Sequence, residues 1–249
     1  METITSLKNP KVLAWKSLKE KKGRLEHHAF LVEGSKMVRE ALDSGLKAKA
    51  ILLRDDMKDH FLSPSDSIPL YLLPAHVFNT VCDTKTPQGI AAVLDLDTKP
   101  ASGPRLLALD GVQDPGNVGT IIRTADAAGF DGILLSRECA DLFSPKVLRA
   151  TMGSVFHLGF SFPASLPEAL EELKKKGYSI LSSQLDGDPF YARRDIASSF
   201  VLVIGNEGNG VSDEVRAVAT HRLCLPMRGG AESLNAAVAA GIMMYGLTR

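Results

Sequence analysis

Residues 105–135 read RLLALDGVQDPGNVGTIIRTADAAGFDGILL, and this stretch decides the fold. Leu106–Leu109 is a short apolar run of strand length, and Asp110-Gly111 and Pro115-Gly116 carry turn chemistry. Val118–Ala128 then puts Ile121, Ile122 and Ala125 on one side at helical spacing, and Gly132–Leu135 is apolar again. A strand, a helix and a second fully apolar strand imply parallel pairing, with helices over both faces of the sheet. The alternation runs on to the end of the chain. Helix Pro145–Met152, strand Val155–Phe160, helix Pro167–Lys176 and strand Tyr178–Ser182 come next. Strand Phe200–Ile204, a helix near Asp213–Ala219, strand Arg222–Leu225 and helix Leu234–Tyr245 complete it. The pattern predicts an α/β domain that binds its ligand at the carboxyl ends of its strands.

Working outward, composition breaks once, at Asp95–Arg105 (DLDTKPASGPR), which predicts a domain at 1–97, a linker at 98–104 and a second domain at 105–249. The first domain reads as a small α/β unit. A basic helical stretch at Asn9–Lys22 carries Val12, Trp15 and Leu18, and a strand at Phe30–Val32 follows. A helix at Ser35–Ser44 ends at Gly45, and strands fall at Ile51–Leu53, Leu70–Leu73 and Ile90–Leu94.

Lys+Arg and Asp+Glu both count 29, so net charge is silent about a polyanionic partner. Their distribution is not: residues 1–50 hold eleven basic against six acidic side chains. Such a block suits contact with phosphates, though a solvated helix face gives the same count. Cys82, Cys139 and Cys224 are far apart with no Cys-x-x-Cys pair, which fits a reducing cytoplasm and argues against a zinc cluster or a disulfide scaffold. His27 and His28 read as a surface pair, and His60, His76, His157 and His221 lack metal-ligand spacing. We expect no metal and no membrane span, since no apolar run reaches the roughly 18 residues required.

Three motifs fall at strand ends. In DGVQDPGNVGTIIR (110–123), Asn117 stands where a helix N-cap belongs, and Gly119 and Arg123 share a face. A surface arginine has the same spacing. In VIGNEGNGVS (203–212), an apolar strand runs into Gly205, Gly208 and Gly210 with Glu207 among them, so backbone N–H groups can approach a ligand. Neither the P-loop nor the dinucleotide glycine spacing is present, and a ligand-free turn would look alike. In LCLPMRGGAESLNAAVAA (223–240), Ser233 opens a helix of small residues; a plain N-cap serine reads identically.

Together and in this order, the motifs resemble the SpoU (TrmH-like) branch of the SPOUT RNA methyltransferases. The family pattern is met by Asn117, Gly119 and Arg123, then Gly205, Glu207, Gly208 and Gly210, then Leu225, Pro226, Ser233, Leu234 and Asn235. SPKVLRATMG (144–153) resembles the family's middle region, and KKGR and FLVEG resemble an attached ribosomal-protein-like domain. Relatives often continue Ser-Leu-Asn with Val-Ser, where this chain has Ala236-Ala237.

The resemblance implies a parallel-sheet SPOUT domain with a carboxyl-terminal trefoil knot, preceded by a small α/β RNA-binding domain. It implies S-adenosylmethionine as cofactor, held by Gly205, Leu225, Leu234, Gly210 and Met227, and a homodimer in which Arg123 reaches the neighbour's pocket. The implied reaction methylates a ribose 2′-hydroxyl of RNA. Arg123, Asn117, Glu207, Ser233 and Asn235 are the catalytic candidates; Lys8, Lys11, Lys21, Lys22, Arg24 and Lys36 are the RNA-gripping ones. A guanidinium, with a pKa above about 12, is a poor base, so Arg123 is expected to hold a phosphate and steady the developing alkoxide. Ribosomal RNA is favoured over transfer RNA. A base methyltransferase and an inactive RNA-binding member of the fold remain open.

Overall fold

The computed structural model describes residues 1–60 and 68–248, without the side chains of 58–60, and divides into two compact units. The first comprises Met1–Asp97 with Phe143–Phe156; the second comprises Thr98–Leu142 with His157–Arg249. The segment 143–156, expected in the second domain, thus packs with the first. Residues 98–104, expected as a linker, are laid on the second unit's sheet. Phe160 N donates to Lys99 O (2.7 Å), Phe200 N to Pro104 O (2.8 Å) and Ala101 N to Ser161 Oγ (3.0 Å). Glycine makes this possible, because a Cβ at Gly159 would lie 2.5 Å from Pro100 O.

In the first unit the sheet order is β1 (Glu2–Thr3), β4 (Leu70–Leu73), β3 (Ala48–Arg54), β5 (Ile90–Asp95), β2 (Ala29–Glu33). β1, β4 and β3 run parallel, and β5 is antiparallel to both β3 and β2. One face carries Leu31, Leu52 and Val93 into a core with Val12 and Trp15 of α1 (Pro10–Ser17) and Phe78 of α4 (Ala75–Val81). The other face meets α3 (Ser35–Asp43) and α6 (Pro145–Thr151), where Phe30 stacks on Phe143 with centroids 4.8 Å apart. The predicted single helix at 9–22 is two, α1 and α2 (Lys21–His27). The break follows from close packing: a Cβ at Gly23 would sit 2.2 Å from Ser17 O. The Arg24 guanidinium satisfies the leftover carbonyls of Leu18 and Lys19, both at 2.8 Å. Sequence periodicity indicates neither β1 nor α4.

In the second unit six parallel strands follow the order β11 (His221–Cys224), β9 (Ser179–Pro189), β10 (Phe200–Gly205), β6 (Arg105–Asp110), β7 (Gly132–Leu135), β8 (Gly159–Ser161). Leu106, Ala108, Val201 and Val203 face Leu170 of α7 (Leu166–Lys175) and Val215 of α8 (Asp213–Val218). Alternation sends Leu107, Leu109, Leu202 and Ile204 to the opposite face, where α9 (Ala236–Leu247) packs on β10 and on α5 (Pro115–Ala127). The predicted strand at 155–160 is a 3-10 turn at Ser154–Phe156 followed by β8. Met152 and Gly153 precede it in left-handed conformation (φ +54° and +106°), which forbids extending a strand from there.

Two helix starts differ from expectation. The N-cap of α5 is Asp114, whose Oδ1 accepts from Asn117 N (2.9 Å), so Pro115 takes the first helical position. The cap of α9 is Asn235, whose Oδ1 accepts from Ala237 N (2.9 Å) and Val238 N (3.2 Å). Ser233 therefore lies in the loop ahead of the helix. Among the described residues no helix is long and apolar enough to cross a membrane.

Candidate active site

Strands β6, β9, β10 and β11 all deliver their following loops to one end of the second unit's sheet. The loop after β10 is fixed from within. Asn206 pairs its backbone with Gly210 in both directions (2.8 and 2.9 Å). Its side-chain Oδ1 accepts from Gly208 N and Asn209 N (2.9 and 3.0 Å), and Nδ2 donates to Gly111 O (2.8 Å). Such closure requires a bare backbone: a Cβ at Gly205 would stand 2.1 Å from the Gly210 carbonyl carbon, and Gly210 has φ +70°. Asp110 accepts from Ser212 N at 2.7 Å and pins the far side of the loop to β6.

The turn aims Glu207 at the start of α5. Its carboxylate accepts from Gln113 N (3.1 Å), Asp114 N (3.0 Å) and Asn117 Nδ2 (2.9 Å). Asn117 Oδ1 in turn accepts from Asn235 Nδ2 (3.0 Å), the residue that caps α9. One chain of hydrogen bonds thus links Glu207, Asn117 and Asn235, three residues widely separated in sequence. Burial pushes the Glu207 carboxyl up, but the Asn117 amide and the N–H groups of Asp114 and Gln113 outweigh it and hold its pKa below the ordinary value.

Beside this chain lies a cavity of about 390 Å³, a volume typical of ligand sites. All five residues expected to hold a cofactor line it: Gly205, Gly210, Leu225, Met227 and Leu234. Glu207 and Ser233 line it as well, whereas Asn117 and Asn235 stand behind Glu207. Arg123 is elsewhere. It is exposed on α5, makes no hydrogen bond or ion pair with described residues, and is absent from this wall.

A further wall is not apparent from sequence. β9 pairs with β11 at Leu181 and Ser182 and resumes only at Asp188, so residues 183–187 bulge out of the ladder. Ser183, Gln184, Leu185 and Asp186 border the cavity. Arg216 on α8 holds the bulge, donating to Gln184 Oε1 (3.0 Å) and to both Asp186 oxygens (2.9 and 2.8 Å). Asn206 was also missed. The Asn after a strand and before glycines was the available signal, since Asn side chains build such turns.

The expected RNA-gripping cations all lie in the first unit and are unlike one another. Lys8, Lys21, Lys22 and Lys36 are exposed. Lys11 is exposed but engaged, 2.7 Å from Glu2 and 4.5 Å from the Tyr71 ring centroid. Arg24, by contrast, is 3% exposed and turned inward onto the carbonyls between α1 and α2 instead of out to solvent. Among the described residues no three His, Cys, Asp or Glu side chains are grouped to hold a metal; the His60 side chain lies outside them.

Residues 104–245 match the SpoU rRNA Methylase family, and residues 9–92 match the MRM3-like substrate binding domain. The chain is 42% identical to the 23S rRNA (guanosine(2553)-2′-O)-methyltransferase RlmP of Bacillus subtilis (strain 168) over 251 residues, 99% of either chain. An AdoMet-bound rRNA methyltransferase from Sinorhizobium meliloti superposes with TM-score 0.87 at 33% identity, covering 98% of this chain and 96% of that one. The SpoU methyltransferase AviRb from Streptomyces viridochromogenes, 24% identical, shares the fold with TM-score 0.83 over 96% of this chain and 98% of that one in its cofactor complex.

Proposed function

The chain belongs to the SpoU rRNA methylase family, and from that premise we propose that it transfers the methyl group of S-adenosylmethionine to a ribose 2′-hydroxyl of ribosomal RNA. The observation that carries the reading is convergence: glycines, apolar side chains and an oriented carboxylate from three separate strand ends line one cavity. The B. subtilis relative, named for a 23S ribosomal RNA activity and matched end to end, supports ribosomal over transfer RNA.

The cavity's chemistry fits that cofactor. Leu225, Met227 and Leu234 offer apolar walls to a flat base, and Asp186 and Glu207 place carboxylates near a cationic ligand. When bound, the cofactor supplies an electrophilic sulfonium methyl. The protein's own work is to position the hydroxyl, exclude water and stabilise the alkoxide as the proton leaves. Glu207 and Asn117 orient the α5 turn; Ser233 and Asn235 orient the loop that faces it.

Arg123 is the group that holds the RNA phosphate and the developing alkoxide. Its place outside the chain's own cavity supports a homodimer in which one protomer's Arg123 serves its partner's pocket. The outer face of α9 supports the same assembly: Val238, Ile242 and Tyr245 are 51%, 37% and 50% exposed, an apolar stripe on a helix that packs against α5. We also carry the trefoil knot into this reading. Its support is the return of α9 from the sheet edge to β10 and α5, with Phe190 and Arg193 of the β9–β10 connection closed on Gly246 at its end. The first unit is the RNA-binding part, with Lys8, Lys21, Lys22 and Lys36 among its exposed cations.

The test is to incubate the protein with methyl-labelled cofactor and total RNA from a strain lacking the gene, then locate label by nuclease digestion and mass spectrometry. A 2′-O-methylated nucleotide in ribosomal RNA is expected. Label on a base or in transfer RNA would redirect the assignment, and no label together with no heat on titrating the cofactor would refute it.

A further inference from the structure

The first unit holds a cavity of its own, about 270 Å³, built by three stretches of chain. The turn from β2 into α3 supplies Lys36 and Met37, the loop before β5 supplies Thr84 and Gln88, and the end of α6 supplies Arg149 and Met152. Resting on the reading above, we infer that this cavity receives one unpaired nucleotide of the substrate RNA, its base against Met37 and Met152 and its phosphates beside Lys36 and Arg149.

Met152 is the first reason. It is 47% exposed and held at φ +54°, so the chain keeps a large apolar side chain in water on a backbone conformation that non-glycine residues avoid. The positive φ closes α6, with Met152 N donating to Arg149 O (3.3 Å), but a helix cap does not call for a large exposed apolar side chain, whereas a surface that presents sulfur and methylenes to a flat ring does.

Charge is the second reason. Three carboxylates stand nearby: Glu40, whose side chain lies against Gly153, Glu33 and Asp83. Glu33 accepts from Asp83 N (2.6 Å), Thr84 N (3.4 Å) and Thr84 Oγ1 (2.6 Å), which shapes the loop. Asp83 pairs with Arg149 Nη1 at 2.8 Å. Lys36 and the neighbouring Lys85 have no hydrogen-bond or ion-pair partner among the described residues, so the charge left for a ligand is positive.

The third reason is readable hydrogen bonding. Gln88 Oε1 accepts from Ser35 N (3.2 Å), which fixes the amide and leaves Nε2 without an acceptor among the described residues. The Arg149 side chain is 41% exposed beside its Asp83 partner, within reach of a ligand phosphate. Sequence-specific RNA recognition uses such features on unstacked, single-stranded nucleotides.

The experiment uses the full-length protein with an in vitro transcript of 23S ribosomal RNA. Met152→Gly removes the side chain while suiting the positive φ, and Met152→Leu keeps an apolar one. We expect Met152→Gly to raise the KM for the transcript about tenfold, the scale of one lost base contact. Its kcat at saturating RNA and its affinity for S-adenosylmethionine should stay within about twofold. Met152→Leu should restore most of the RNA affinity, and Lys36→Ala should lower the salt slope of binding by about one. An unchanged KM in an active, folded Met152→Gly enzyme would overturn the pocket and leave the functional reading intact. A wild-type protein that methylates no RNA would instead defeat the functional reading.

Discussion

Replacing Glu207 with Gln tests whether charge, and not shape, organises the site. A carboxylate only accepts, so Asn117 must present Nδ2 to it and Oδ1 to Asn235. Asn235 must then donate through Nδ2 and keep Oδ1 for the N–H groups of Ala237 and Val238. An amide in place of the Glu207 carboxylate would set a donor against donors. Its Oε1 can go on accepting from Asp114 N and Asn117 Nδ2, which share one carboxylate oxygen, so its Nε2 is left facing the Gln113 N–H, which loses its acceptor. A charge-assisted hydrogen bond contributes roughly 1.5–3 kcal/mol, and because Glu207 is exposed we discount this to about 1 kcal/mol per amide. That is about a fivefold change in a local opening equilibrium. Hydrogen exchange read by mass spectrometry should therefore show amide 113 about fivefold less protected in Glu207→Gln, with a smaller loss at 114 and none at 237 and 238. The pH dependence has a definite sign. The folded-state pKa lies below the ordinary 4.5, so the wild-type contribution is complete above 4.5 and is lost as pH falls through the depressed value. After correction for intrinsic exchange, wild-type protection should approach that of Glu207→Gln at low pH, and the variant's should stay flat. Equal protection of the two proteins at neutral pH would refute the reasoning.

Arg123→Ala should lower kcat at least about 100-fold with cofactor affinity unchanged by calorimetry, and mixing it with a cofactor-pocket variant should recover part of the activity through mixed dimers. Gly205→Ala should weaken cofactor binding at least about tenfold and cost about 2–3 kcal/mol, because its Cβ meets backbone that cannot move aside; calorimetry and thermal melts measure both. Arg24→Ala should destabilise the first unit by about 2–4 kcal/mol, since it takes a donor from one buried and one part-buried carbonyl. Urea titration followed by Trp15, the chain's one tryptophan, reads that loss. Lys21→Ala and Lys22→Ala should leave stability alone and reduce the salt dependence of RNA binding by about one per residue.

Much of the second unit was legible because its strands are uninterrupted Val, Ile and Leu runs, and their ends mark the loops that matter. Gly205, Glu207 and Leu225 could be placed in one site on that ground with the family resemblance beside it. What escaped depends on contacts far apart in sequence. Asn117 looked like a cap because Asn favours caps, yet Asp114 three residues earlier competes for that role and leaves Asn117 free for Glu207. Arg24 looked like an RNA ligand because basic residues cluster around it; only the turn between α1 and α2 turns it inward. The 183–187 bulge is polar and patternless, and its partner Arg216 lies on another element. Helix α4 is one short apolar run after Pro74, too brief for periodicity to separate from a strand.

The excursion of residues 143–156 into the first unit matters for how the chain is made. Phe30 is 1% exposed, with Phe143 against it. A chain that stopped at residue 97 would lack the Phe143 ring and the α6 contacts on that side of β2. Completion of the amino-terminal body must await about 60 further residues, some 3–12 s of translation at ~5–20 residues per second. A protein whose leading body is finished by its later sequence is guarded against release as a half-length fragment, because such a fragment lacks part of its packing and is open to degradation.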